Sequence, residues 1–328
     1  MARFKSLRTA AAVALFAMAA CAVGVAGAND ITPGKPLRII APAAPGGILD
    51  QTSRIVAKSL SEVLKQPVIV ENVAGAGGTL GIQAALRAEP DGHTLVMGSL
   101  GPNAANYTLQ DKLPYKPDDL APVIHVLSMP NVLVASPPLG ARTMAELKAL
   151  AQSKPKGLSM AVSTSGSSGH LTGELIKARA GIQAVNIIYR GAAPALTDLM
   201  GGQVDIMVDN LITALPLVRA GKLTPIAVTT RERIPELPQV PTLIESGLPD
   251  IEVTVWLGLF VSAKTPPATV AALNRELQKV LSSPEIRHSF AEKGGVPVGG
   301  SPQAFQGFVA TETARWEQVI RSANLKAE

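Results

Sequence analysis

Short apolar runs alternate with amphipathic helical stretches along most of this chain, and that alternation constrains the fold more than any other feature. LRIIA (37–41), VIVEN (68–72) and TLVMG (94–98) have strand length and almost no polar interruption. Between them, 50–65 places Val56, Leu60, Val63 and Leu64 on one helical face, and 79–88 predicts a second, shorter helix. Strand, helix, strand, helix, strand implies a parallel sheet joined by right-handed crossovers. Nearly continuous apolar strands are expected where helices cover both faces. A second series follows: NVLVAS (131–136), a helix over 143–153, LSMAVS (158–163), a helix over 168–180 and VNIIYR (185–190). It continues through a helix at 194–200, VDIMVD (204–209), a helix at 211–220 and PIAVTT (225–230). After a proline-rich connection at 233–250 come VTVWLGLFVSA (253–263) and helical patterns starting near Pro267, Pro284 and Ser301. The pattern predicts two α/β units, with the C-terminal segment returning to the first: 29–128 plus 251–328, and 129–250.

Residues 1–28 stand outside this scheme. Arg3, Lys5 and Arg8 precede an apolar run over 9–25, and Ala26-Gly27-Ala28 supplies small residues for cleavage. That is the pattern of a secretory signal peptide, too short and wrongly flanked for a membrane span. Met18-Ala19-Ala20-Cys21 offers a competing lipidation box, although methionine suits its first position poorly. Cleavage after Ala28 leaves 300 residues without cysteine, so no disulfide can form. That length suggests two domains. The leader carries three positive and no negative charges, so its removal takes the formal charge from +5 to +2. No Lys/Arg cluster remains, and three Tyr, two Trp and six Phe cannot build a stacking platform for bases. This composition argues against nucleic-acid binding. No later apolar run reaches the length of a span. The chain reads as an exported globular protein.

Two turns attract functional interpretation. In APAAPGGILD (41–50), a strand meets Pro42, Pro45, Gly46 and Gly47 and then a helix. A helix start carries unpaired N–H groups and partial positive charge, and so attracts anions. Glycines let those amides approach a ligand closely, and Asp50 is placed to cap the helix. A plain strand-to-helix turn would use the same residues. In the second turn Ser163, Thr164, Ser165, Gly166, Ser167, Ser168 and Gly169 lead into a helix. One hydroxyl explains a helix cap; five suit a carboxylate or another oxygen-rich anion. ENVAGAGGTLG (71–81) suggests a dinucleotide fingerprint, but its sixth position is Leu80 where glycine is required. The loop over 98–107 ends another strand and should face the same crevice, with Ser99, Asn103 and Asn106 as donors; a polar surface loop is the alternative. His93, His125, His170 and His288 are scattered without metal-ligand spacing. Ser168 and His170 do not form a G-x-S-x-G elbow.

Seven segments then combine in order and spacing: APAAPGGILDQTSR, VIVENVAGAGGTLG, PDGHTLVMGS, GSSGHLTGEL, YRGAAPALTDLMGGQVDIMVDN, AGKLTPIAVTT and VPTLIESGLP. Over 31–326 the chain resembles the Bug-type periplasmic receptors, the substrate-binding proteins of tripartite tricarboxylate transporters. The resemblance implies a two-lobed, type II periplasmic binding fold, α/β in class, with a mostly parallel sheet flanked by helices in each lobe. It implies a carboxylate pincer with one jaw formed by Ala44, Pro45, Gly46, Gly47, Ile48, Leu49 and Asp50. The other jaw is formed by Ser163, Thr164, Ser165, Ser167, Ser168 and Gly169. Ser99, Asn103, Asn106, Tyr189, Arg190, Asp209 and Asn210 resemble positions lining the cleft, and Trp256 falls near the hinge. No cofactor, metal or catalysis is implied. The expected partners are a small carboxylate and the membrane permease subunits, with the receptor monomeric and periplasmic. A ligand-sensing subunit of a signalling system is the alternative, and a hydrolase using Ser168 and His170 is a third reading. Three departures stand out: Ala43 replaces a frequent aromatic, Ile48-Leu49 replace a glycine and a hydroxyl residue, and Thr164 replaces a glycine. They leave the backbone grip in place and make the first jaw less polar.

Overall fold

The expected strand–helix alternation is present, to within two residues at nearly every boundary. A computed structural model describes Ile31 and residues 34–325, so the leader expected over 1–28 lies outside the described residues. The first series is β1 (Leu37–Ala41), α1 (Ile48–Leu64), β2 (Val68–Asn72), α2 (Thr79–Arg87) and β3 (Thr94–Ser99). A π-helical turn at Gly101–Ala105 and the short α3 (Asn106–Leu109) follow, and then β4 (Leu120–Ala135). The second series is α4 (Met144–Ser153), β5 (Leu158–Val162), α5 (Ser168–Ala180), β6 (Ala184–Ile188), α6 (Ala192–Met200), β7 (Ile206–Asn210), α7 (Leu211–Arg219) and β8 (Thr224–Val228). The chain closes with β9 (Thr254–Ser262), α8 (Pro267–Ser282), α9 (Pro284–Ala291), β10 (Val296–Gly299) and α10 (Pro302–Ser322).

Local chemistry accounts for many of these boundaries. Thr143 and Glu146 form a capping box at α4, the hydroxyl accepting from the Glu146 N–H at 3.2 Å and the carboxylate accepting from the Thr143 N–H at 3.2 Å. Ser283-Pro284 and Ser301-Pro302 start α9 and α10 with a hydroxyl cap followed by proline, whose missing N–H costs nothing there.

The strands run in the order β2-β1-β3-β9-β4-β7-β5-β6, with β8 and β10 also paired to β4. The β2-β1-β3 and β6-β5-β7 triplets are parallel. Every pairing made by β4, and that of β3 with β9, is antiparallel. The sheets are therefore mixed rather than mostly parallel. The reason is connectivity: β9 and β4 carry the chain between the lobes and run against their neighbours.

β4 is the largest departure from the sequence reading, which placed a strand only at 131–136. Its first part, Leu120 to Pro130, pairs with β9, and Asn131 to Ala135 pairs with β7 and β8, so one strand runs through both lobes. Pro122, His125 and Pro130 argue against a central strand by composition. Register shifts at Pro122/Ile124 and His125/Leu127 accommodate the irregularity. At the crossing, buried Thr229 ties two passages together. Its hydroxyl donates to the Val253 carbonyl at 2.6 Å and accepts from the Asn131 N–H at 3.0 Å.

On one face of the first sheet, α1, α8 and α9 bury Val56, Leu60, Leu273, Leu277 and Phe290. On the other, α10 packs Phe305 against Trp256 and Phe260. Trp256 is thus fully buried on β9, opposite Ser128 of β4. Among the described residues no helix is long and apolar enough to cross a membrane.

Candidate functional site

The β1–α1 turn is built from within. Gly46 adopts φ +85, a conformation that residues with a Cβ avoid, and this turns its N–H back onto the Asp50 carboxylate at 2.9 Å. The other Asp50 oxygen accepts from Arg54 Nε at 2.9 Å, and Arg54 Nη2 reaches Asn72 Oδ1 at 3.1 Å. Asn72 in turn donates to the Ala43 carbonyl at 3.1 Å. Burial opposes ionisation of Asp50, but the bonds from Arg54 and the Gly46 N–H outweigh it and hold its pKa below the ordinary value. Asp50 therefore shapes the turn and does not face the cleft.

The β5–α5 turn has its own brace. Ser167 caps α5 by accepting from the His170 N–H at 3.2 Å, and buried His170 accepts the Gly166 N–H on Nδ1 at 3.0 Å. The other ring nitrogen lies 3.4 Å from Asn186 Nδ2. An imidazole engaged on that side by Gly166 is a loop support, not a base for Ser168.

These two turns face each other. A hollow of about 80 Å³ lies between them, lined by Ala44, Gly47, Ile48, Leu49 and Ser99 on one side and Ser163, Thr164, Ser165, Ser167 and Ser168 on the other. The jaws meet at its edges: a Cβ at Gly191 would lie 3.1 Å from the Ala44 Cβ, and one at Gly101 would lie 3.1 Å from the Gly166 carbonyl. By the measure in which one water needs ~10–15 Å³, the space takes roughly five to eight water-sized groups. Leu100 and Pro102, in the loop expected to face the crevice, also line it, as do Val255 and Leu257, which sequence reasoning missed. The i, i+2 spacing of Val255 and Leu257 on one strand face was the available signal. Asn210, at the end of β7, lines it as well, and its Oδ1 is buried without a hydrogen-bond partner.

The other residues expected at the site are elsewhere. Pro45 and Gly46 are exposed at the turn's tip. Asn103 is buried behind the lining, where its Oδ1 accepts from the Ser99 N–H at 3.1 Å, and Asn106 donates to the Gly77 carbonyl at 3.2 Å. The 101–109 stretch is thus helical and largely buried rather than a polar loop. Gly169 packs against the backbone of Val208. Tyr189 donates to Asp198 at 2.7 Å and, with exposed Arg190, lines the adjoining mouth. Asp209 is fully buried, accepts from the Thr213 hydroxyl at 2.6 Å, and has its pKa pushed up to about 6 by burial.

No charged side chain lines the hollow, and among the described residues no group of His, Cys, Asp or Glu is arranged to hold a metal. Its polar equipment is hydroxyls, one carboxamide and the starts of α1 and α5, whose first-turn N–H groups lack intrahelical acceptors. Such an arrangement has the donors an anion would need and no side chain suited to moving a proton. A larger groove of about 910 Å³ between α8 and α10 touches the back of Asn103, but neither jaw reaches it.

Comparison with known proteins agrees with this geometry. Residues 52–325 match the model of the tripartite tricarboxylate transporter family receptor. Protein BugT of Bordetella pertussis is 36% identical over 300 residues, covering 90% of this chain and 92% of that protein. Rpa4515 of R. palustris, solved with adipate, has a TM-score of 0.87 at 34% identity, covering 90% of this chain and 99% of its own. The periplasmic binding protein BugD has a TM-score of 0.86 at 30% identity, covering 90% and 100%. Family and structural neighbours are binding proteins, not enzymes. The chain belongs to the tripartite tricarboxylate transporter receptor family.

Proposed function

We propose that this protein is an extracytoplasmic receptor that captures a small carboxylate between its lobes and hands it to the membrane subunits of a tripartite transporter. The lobes comprise 29–128 plus 251–328, and 129–250. Residues 1–28 direct export to the periplasm, and the receptor works as a monomer. The observation that carries the reading is the convergence of two strand–turn–helix motifs, one from each lobe, on a single hollow. The adipate bound by Rpa4515 supports the choice of a carboxylate.

The energetics suffice for binding without further chemistry. A hydrogen bond to a charged group contributes ~1.5–3 kcal/mol, so four to six supply roughly 6–18 kcal/mol gross. Association and lobe closure offset several kcal/mol or more of that. The remainder is compatible with micromolar affinity, about −8 kcal/mol. Closure also couples occupancy to a shape that a membrane partner can read.

Thermal melting against mono-, di- and tricarboxylates tests the reading. A ligand at 100 times its dissociation constant adds ~2.7 kcal/mol of stability. A panel in which no carboxylate moves the transition rejects the proposal. Loss of uptake of the identified acid on deleting the gene separates delivery from sensing.

A further inference from the structure

The two walls of the hollow differ in kind. The β5–α5 wall is hydroxyl-rich, and Ser168 on it is only 7% exposed, its hydroxyl making no hydrogen bond among the described residues. The opposite wall is mainly hydrocarbon, with Ile48, Leu49, Leu100, Pro102, Val255 and Leu257 and a single hydroxyl, that of Ser99. Neither wall carries a cation, and Arg190 stands outside, exposed at the mouth. From this asymmetry we infer that the preferred ligand bears one carboxylate on an apolar body, as a short alkanoic or an aromatic acid does. The carboxylate sits at the start of α5, where the Ser168 hydroxyl and the Ser168 and Gly169 amides remain available while Ser167 takes the His170 N–H, and the body lies along the hydrocarbon wall.

Charge accounting supports the choice. One carboxylate is satisfied by hydroxyls, amides and two helix starts without any cation. A second or third carboxylate in the same closed space would press against hydrocarbon with no counter-charge, and an unpaired buried charge is strongly unfavourable. An apolar body instead gains from leaving water. The inference deepens the receptor reading above and rests on it.

Isothermal titration of the exported chain with benzoate, hexanoate, adipate, malate and citrate, and with uncharged benzamide, decides the matter. Benzoate or hexanoate should bind at least tenfold more tightly than malate and citrate, and benzamide should bind at least tenfold more weakly than benzoate. Leu49→Thr, checked for folding by its ligand-free melting transition, should weaken the favoured monoacid about tenfold and narrow its advantage over malate. If adipate, malate or citrate binds more tightly than both monoacids, the inference fails while the carboxylate receptor stands. If benzamide matches benzoate, the carboxylate head is not what the site recognises, and the inference fails. If no acid binds, the inference and the receptor reading fall together.

Discussion

Replacing Gly169 by alanine tests how closely the second jaw depends on backbone packing. Gly169 lies in the first turn of α5, and a Cβ there would stand 2.3 Å from the Val208 carbonyl oxygen and 3.3 Å from its carbon. Both are backbone atoms of β7, which is held between β4 and β5, so neither yields as a side chain would. Restoring ordinary contact requires the helix start to retreat by roughly 1 Å. A donor that reached a ligand at ~2.9 Å is then no longer within hydrogen-bonding distance. Losing one such bond to a charged group costs about 1.5–3 kcal/mol, which is ~10–150-fold in affinity. Overpacking separately costs ~1–3 kcal/mol of stability, offset by up to ~1 kcal/mol from the better helix propensity of alanine. Gly307→Ala is the control: it also sits within a helix, α10, but in open space, so only the propensity gain of up to ~1 kcal/mol applies. Titration calorimetry with the acid that binds the unaltered chain best, and urea midpoints, give the two readouts. If Gly169→Ala bound like the unaltered protein and gained stability as Gly307→Ala does, the packing argument would be refuted.

Gly101→Ala should act mainly on closure, because its Cβ presses on the Gly166 carbonyl of the opposing jaw at 3.1 Å while the Gly77 oxygen of its own lobe, at 3.9 Å, is in ordinary contact; calorimetry should show roughly tenfold weaker binding with an unchanged ligand-free melting transition, and equal affinity would sink the idea. Asp209 should make stability fall as pH rises from about 4 to 6, since the fold holds its proton to about 6 while the unfolded chain releases it near the ordinary value. The accumulated penalty at pH 7 is of the order of 3 kcal/mol, and Asp209→Asn, which retains an acceptor for Thr213, should recover much of it at pH 7 and nothing at pH 3.5 in urea melts. His125 slopes the other way: burial lowers its pKa to about 4, so its contribution is complete above 6.5 and is lost as pH falls toward 4. The two should nearly cancel in the unaltered protein, and His125→Phe should expose a stability that declines with rising pH; a flat profile in both variants would refute the assignment.

Much of the hollow's lining was legible because it is encoded locally. Gly46-Gly47 and the Ser163–Gly169 run announce strand-to-helix turns by composition, and both turns reach the hollow through Gly47 and Ser167-Ser168. What failed was side-chain direction. Asp50, Asn103 and Tyr189 sit in the right segments, yet each is turned onto a partner that composition does not single out: Gly46 and Arg54, the Ser99 amide, and Asp198. Val255 and Leu257 were missed because their strand reads as plain core; their face lines a hollow only where the second lobe covers it.

Local rules thus determined the alternation of strands and helices, their caps and the two amide-rich turns, since each depends on residues within a few positions of one another. The tertiary structure alone decided that β4 threads both lobes despite Pro122 and Pro130, that the sheets are mixed, and that hydrocarbon faces hydroxyl across the cleft. Those outcomes depend on pairings between segments far apart in the chain, such as Leu120 with Ser262 and Ala135 with Ile206. No local propensity records which strand a segment will find beside it, because that choice is made by the burial and backbone pairing of the whole chain at once.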